Sequence, residues 1–269
     1  MFHDLLNIFA VKMLFLSVIF ALCFAVERMI PAERSDAPGM ILNWMVGFFT
    51  IVTEMAVSIL IASLFVKFSW NFAIQDHGEI FRAIGLLIAW MALRDFLYYW
   101  FHRLQHASKW LWAEHALHHS DEHVNATTSV RHHWLEVPLG AVFVAAPLSY
   151  SLRPSLITVS LVSFTIGLVG VFIHMNARIG FGRFGWLLAS PQNHRIHHSR
   201  LPEHTDKNFA QFFPLWDVLF GTYYRPKPDE YPPTGLASGQ RVTTIKDSLL
   251  MPFVMWWKMF KSKQSAISR

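Results

Sequence analysis

Three apolar runs crowd the first hundred residues of this chain: Leu5–Ile30, Met40–Trp70 and Ile80–Phe101. A hydrocarbon core about 30 Å thick asks for roughly 20 apolar residues per helical crossing, and each run is long enough. Lipid offers a backbone no hydrogen-bond partner, so a segment of this kind has to satisfy its own amides as a helix. The rest of the composition agrees: 53% of residues are hydrophobic and 15% charged, against about 25% charged in an ordinary soluble domain. With 24 Phe, 11 Trp and 6 Tyr the chain is far too apolar for disorder. The expected fold is an all-α integral membrane helical bundle.

The first run lacks a small-residue cleavage site, so it reads as a first span rather than a removable leader. The stretch Pro31–Gly39 ends it with two Pro, a Gly and charges. Farther on, Val137–Leu152 and Ser155–Ile173 are two shorter runs split by Arg153 and Pro154. They predict a helical hairpin at about 137–173, which returns the chain to the face it left. Residues 178–269 hold 13 Lys/Arg against 6 Asp/Glu. By the positive-inside bias that places the hairpin's polar face in the cytoplasm, with the N-terminus opposite. Residues 241–263, with Phe253, Trp256, Trp257 and Phe260 beside Lys258, Lys261 and Lys263, suit a helix lying in the membrane interface. Pro252 argues against its continuity. The basic excess comes without any nucleic-acid motif, so no nucleic-acid partner is expected.

Chemistry concentrates in one place. Cys23 is the only cysteine, which excludes a disulfide framework and a thiolate-held cluster. Of 15 His, 12 fall between His102 and His198. Three sets stand out: His102 and His106 in HRLQH, His115, His118 and His119 in HALHH, and His194, His197 and His198 in HRIHH. Residues at i, i+3 and i+4 share a helix face, so each set is expected to present its imidazoles to one point. Imidazole suits iron and zinc alike, and eight rings exceed one ion's coordination, so two metals fit better. His174, at the end of the last apolar run and followed by Asn176, reads as a ninth ligand. His133 is as readily a supporting or solvated group as a ligand, and His132 more readily a supporting one. His3, His77, His123 and His204 lack partners at ligand spacing.

The stretch DFLYYWFHRLQH…LWAEHALHHSDEHVNATTSVR (95–131), with NHRIHHS (193–199) and WDVLFGTYYRP (216–226), resembles the fatty acid hydroxylase/sterol desaturase superfamily. The resemblance covers about 95–226. It implies a membrane-embedded dinuclear non-haem iron site that activates O2, although zinc is a metal such a site is also isolated with. It makes His102, His106, His115, His118, His119, His194, His197 and His198 ligands, with His174 where the family often places another, and no catalytic side chain beyond them. The implied activity is O2-dependent hydroxylation or desaturation of a fatty acyl or sterol-like lipid. Electrons would come from a separate cytochrome-b-type or ferredoxin-like protein, since no segment outside the core is long enough for the fused haem-binding domain that some members have. The chain is compact like bacterial members, which implies a bacterial inner membrane, or otherwise the endoplasmic reticulum. Ala107 stands where the ether-lipid-cleaving branch tends to have an acidic residue, and so argues against that branch.

Three regions follow: an N-terminal transmembrane region (1–94), the catalytic core (95–226, hairpin included) and a basic amphipathic tail (227–269). Ligating imidazoles usually pass their second N–H to an oxygen. Candidate partners are Glu114, Asp121, Glu136, Asp206, Asp217, Asn125 and Asn193, with Asp95 acting through Tyr98 or Tyr99, or else forming a buried pair with Arg94. A metal-ion transporter would want histidines inside the spans, and here nearly all flank them. A zinc protease would want HExxH, which does not occur. A non-catalytic lipid-binding protein leaves three intact boxes without a use.

Overall fold

The fold is that of a computed structural model that describes residues 2–34, 36–67, 80–151 and 156–267. Among them all regular structure is helical, apart from one isolated bridge between Ser199 and Thr234. Helices α1 (Phe2–Met29), α2 (Ala37–Lys67) and α3 (Ile80–Ala107) carry the first three apolar runs. Among the described residues one segment, Ala37–Val57 of α2, is long and apolar enough to cross a membrane, and two shorter apolar helical stretches are Glu136–Leu148 and Leu161–Ile173. The turn expected at Arg153 and Pro154 lies outside the described residues.

Short breaks in the helices shape the site. Helix α3 stops at Ala107; Ser108 takes an extended conformation, and α4 (Lys109–His119) restarts from it, the Trp112 amide donating to the Ser108 carbonyl at 2.7 Å. That single non-helical residue folds α4 back on α3 and sets the second histidine box against the first. The hairpin starts as α5 (Glu136–Gly140), passes a π-helical turn (Ala141–Ala145) and continues as α6 (Ala146–Ser151). A π turn inside a helix is a frequent companion of functional sites; here it carries Phe143, which stacks on Phe101 of α3. Helix α7 (Leu156–Ile173) returns against α1 and delivers His174. Helix α8 (Pro191–His197) holds the third box and is well started: Pro191 opens it and the Ser190 hydroxyl accepts the Asn193 amide.

Helices α9 (Leu215–Leu219) and α10 (Ile245–Ile267) complete the chain. Contrary to the expectation from Pro252, α10 runs through it, packed on α4 and α2; Trp256 donates its indole N–H to the Trp110 carbonyl at 2.9 Å. Phe253, Val254, Trp257 and Phe260 stay exposed.

Glu27, which the sequence offers only as a flank of the first run, is buried and ties three elements together. Its Oε1 accepts the Ala126 amide at 2.7 Å and the Asn176 amide at 2.6 Å. Buried amides that lose an acceptor cost about 1–3 kcal/mol each. Glu27→Ala is therefore expected to lower stability by about 2–4 kcal/mol, and Glu27→Gln, which keeps an acceptor oxygen, by much less. Denaturation midpoints for the pair check this, and equal losses would refute the acceptor role.

Candidate metal centre

The three boxes do not each converge on one point. The ligand nitrogens gather in two groups, within each of which they lie within 4.8 Å of one another: His102, His106, His115, His119 and His197 in one, His118, His174, His194 and His198 in the other. Each HxxHH box is split. His115 and His119 face the five-histidine group and His118 the four; His194 and His198 face the four and His197 the five. The reason is helical geometry. Positions i+3 and i+4 share a broad face but are about 100° apart around the axis, so one turn of helix can serve two centres.

Contacts within the groups are close. Paired Nε2 atoms stand 3.0 Å apart in His102–His115, 3.2 Å in His106–His119 and His118–His174, 2.9 Å in His174–His194 and 3.1 Å in His194–His198. Two nitrogens bonded to one metal at 2.0–2.1 Å and at right angles to it would be about 3.0 Å apart. The tautomers point the same way. The Nδ1–H groups of His102, His197 and His174 donate to the carbonyls of Phe209 (2.7 Å), Lys207 (2.9 Å) and Gly170 (2.6 Å). A carbonyl brings no proton, so these rings hold theirs on Nδ1 and turn a lone pair inward from Nε2. One N–H serves one neighbour, yet the His174 Nε2 faces two, and the buried Nε2 of His197 has no hydrogen-bond partner. A cation accepts all these lone pairs at once, and the residues fit one.

Protonation fits as well. Burial, reinforced by neighbouring imidazoles, pushes His102, His118, His119, His194, His197 and His198 well below the usual imidazole range. Burial also takes His106 down to about 4 and His174 to about 3. These rings are neutral at pH 7, the form that binds metals. The nearby carboxyls divide the roles. Burial, then the charge of Glu136, pushes Glu114 up to about 9, and the Gln105 amide donates to its Oε1 at 2.7 Å. Burial works against ionisation of Glu136 too, but His132 and His115 hold it well below the usual carboxylate range. Of these two carboxyls, Glu136 is thus the anion beside the imidazoles.

The structure places the remaining candidates as follows. His132 donates Nδ1–H to Glu136 at 2.8 Å and stacks on His118 with ring centroids 4.1 Å apart; with His115 and Glu136 it makes a third, smaller group. His133 points away, its Nε2 toward the Leu249 carbonyl and its Nδ1 toward the Leu135 amide. His204 is not partnerless: it is buried between Ser199 and Glu230, outside both groups. His123 is half exposed, 3.8 Å from Glu33. The side chains of His3 and His77 lie outside the described residues.

Of the expected supporting groups, Glu136 and Asp206 do face imidazoles, at 3.5 Å from His115 and 3.4 Å from His106. The others hold the frame. Asp121 accepts from Asn43 and Thr128. Asn125 caps the 126–130 turn, and Asn193 engages Ser190 and the Gly185 carbonyl. Asp217 accepts the amides of Phe209 and Ala210. Asp95 does not act through a tyrosine; its carboxylate takes the amides of Phe212 and Phe213, and Arg94 donates to Gln211. Both groups grip the loop that follows Phe209. Sequence reasoning had no means of naming the carbonyls of Gly170, Lys207 and Phe209, because every residue carries one.

Residues 87–222 match the sequence profile of the family described as Fatty acid hydroxylase. Alkylglycerol monooxygenase of Xenopus tropicalis is 36% identical over 133 residues, 49% of this chain and 29% of that protein. The human alkylglycerol monooxygenase is 37% identical over 129 residues, 48% of this chain and 28% of its own. The ornithine lipid hydroxylase OlsE of Rhizobium tropici is 29% identical over 143 residues, 53% and 41%. The matched segment thus spans well under half of each relative. No solved structure matches. The relatives are lipid monooxygenases and hydroxylases, and two of the three act, by name, on alkylglycerols.

Proposed function

From the chain's membership of the fatty acid hydroxylase family, we propose that it is an O2-dependent membrane oxidoreductase that hydroxylates a lipid at a histidine-held pair of iron ions. One observation carries this reading: nine buried or nearly buried imidazoles from three boxes and His174 form two groups with metal-ligand spacing. In this reading His102, His106, His115, His119 and His197 hold one iron, and His118, His174, His194 and His198 the other. Such a pair supplies what no side chain can, activation of O2 for attack on an unreactive C–H bond. The chain's own part is placement. Carbonyls and carboxylates fix several of the rings, and the packed helices bury them. Relatives named for monooxygenation and hydroxylation favour oxygen insertion over desaturation.

The remaining assignments belong to the same proposal. Residues 95–226 form the catalytic core, and the lipid reaches it from the bilayer between α2, α3 and the hairpin. The basic excess of residues 178–269 supports a cytoplasmic site face, reached by a separate electron-donor protein. To test the reading, the protein is purified in lipid from iron-supplemented cells, metals are counted, and lipid extracts are oxidised under 18O2 with a reductant. About two irons per chain and one 18O in a lipid product are expected. Metal without any oxidised lipid, or activity confined to water-soluble compounds, would refute the lipid hydroxylase.

A further inference from the structure

Residues 206–209 are placed unlike any other part of the described chain. Asp206 and Asn208 have φ of 57° and 56°, the only non-glycine residues with positive φ among those described. Asn and Asp tolerate this left-handed region better than other L-residues, and persistent use of it needs support from the surroundings. The support is there. The Asn208 side chain donates to the carbonyls of Asn193 and Tyr224, both at 3.0 Å, and accepts the Tyr224 amide at 2.8 Å. Asp217 holds the next two amides, of Phe209 and Ala210.

The two left-handed residues turn three successive acceptors inward. The Asp206 carboxylate lies 3.4 Å from His106 Nδ1, the Lys207 carbonyl receives His197 and the Phe209 carbonyl receives His102. One four-residue segment therefore orients three of the five imidazoles of one group, drawn from two different helices. The four-histidine group has nothing comparable. Gly170 orients His174, but the buried Nδ1 atoms of His118 and His198 have no hydrogen-bond partner; the five-histidine group has one such atom, His115 Nδ1, and that one faces the Glu136 carboxylate at 3.5 Å. To bind a metal through Nε2, the His118 and His198 rings must carry a buried Nδ1–H with no acceptor, at a cost in affinity. Rings already fixed avoid both that cost and the entropy of ordering.

We infer that the two groups are unequal: residues 206–209 act as a positioning clamp that makes the five-histidine group the tighter site, filled first. This rests on the dinuclear reading above and adds an order to it. The purified protein in lipid would be dialysed to equilibrium against buffers of graded free Fe(II), and iron per chain counted. Two affinities separated by about tenfold or more are expected, since losing one such supporting oxygen typically costs 10–100-fold in metal affinity. The tight iron should survive in His198→Ala and vanish in His102→Ala.

Asp206 is largely exposed, so its variants test the clamp without emptying the core. Asp206→Val, a β-branched residue at positive φ, should weaken the tight site by about 10–100-fold and leave the weak one in place, with the unfolding midpoint lowered by only a few degrees. Asp206→Asn, which keeps an acceptor and tolerates the backbone, should restore it, with Asp206→Gly between. Equal affinities, a tight iron lost in His198→Ala instead, or an effect of Asp206→Val on both sites alike would overturn the clamp while leaving a dinuclear centre. A wild-type protein that binds no iron would overturn the dinuclear reading and this inference with it.

Discussion

His194→Ala is expected to abolish lipid oxidation and to leave the purified protein about one metal short. The His194 Nε2 stands between those of His174 and His198, 2.9 and 3.1 Å away, so its loss opens the middle of the four-histidine group. Groups that act as one unit lose nearly everything when one member goes, and a fall in turnover of about three orders of magnitude or more is expected. The matched control is His133→Ala. It removes an equally buried imidazole from the same histidine-rich stretch, but one whose nitrogens face the backbone of Leu249 and Leu135. His133→Ala should keep its full metal content and most of its activity. If the two variants lost metal equally, general damage to the fold rather than ligation would explain both.

The largest effect on stability is expected at Arg131. Its buried guanidinium donates to the Leu117 carbonyl (3.1 Å), the Ser120 hydroxyl (2.8 Å), the Asn43 side chain (2.8 Å) and the Val242 carbonyl (2.9 Å). These partners belong to the end of α4, the second turn of α2 and the segment leading into α10. Arg131→Met fills much the same volume but strands several buried acceptors. Removing one side of a buried charged network typically costs 3–5 kcal/mol, which in a chain of this size lowers Tm by about 10 °C. The metal content of the folded fraction should be unchanged, because the ligand-bearing faces of α4 and α8 are not what Arg131 touches. A variant as heat-stable as the wild type would show that the acceptors find other partners.

Arg131 and Glu27 also show where sequence reading stops. Both are charged residues whose value in isolation is nothing special: one follows a polar turn, the other flanks an apolar run. Each becomes structural only because segments about 100 residues apart bring their amides and carbonyls to it. Such partners are backbone atoms, and backbone atoms leave no mark in a sequence. The same holds for the clamp. Asp206 was legible as a carboxylate near the boxes, but the Lys207 and Phe209 carbonyls were not, and the left-handed conformation that aims them follows from the support given by Asp217 and Tyr224.

By itself the sequence determined the helical class, the family and the nine imidazoles that the fold gathers. All three depend on local spacing: apolar runs of crossing length, and histidines at i, i+3 and i+4 on one helical face. Only the tertiary structure decided how those imidazoles are shared out. His115 and His118 occupy one turn of α4, yet they face different groups, because α3 meets that turn on one side while α7 and α8 bring the His118 partners. His132 and His133 are neighbours of identical chemistry, and the chain turns one onto His118 and the other toward α10. Spacing along a helix sets the direction of a side chain, but what lies in that direction is set by packing between elements far apart in the chain.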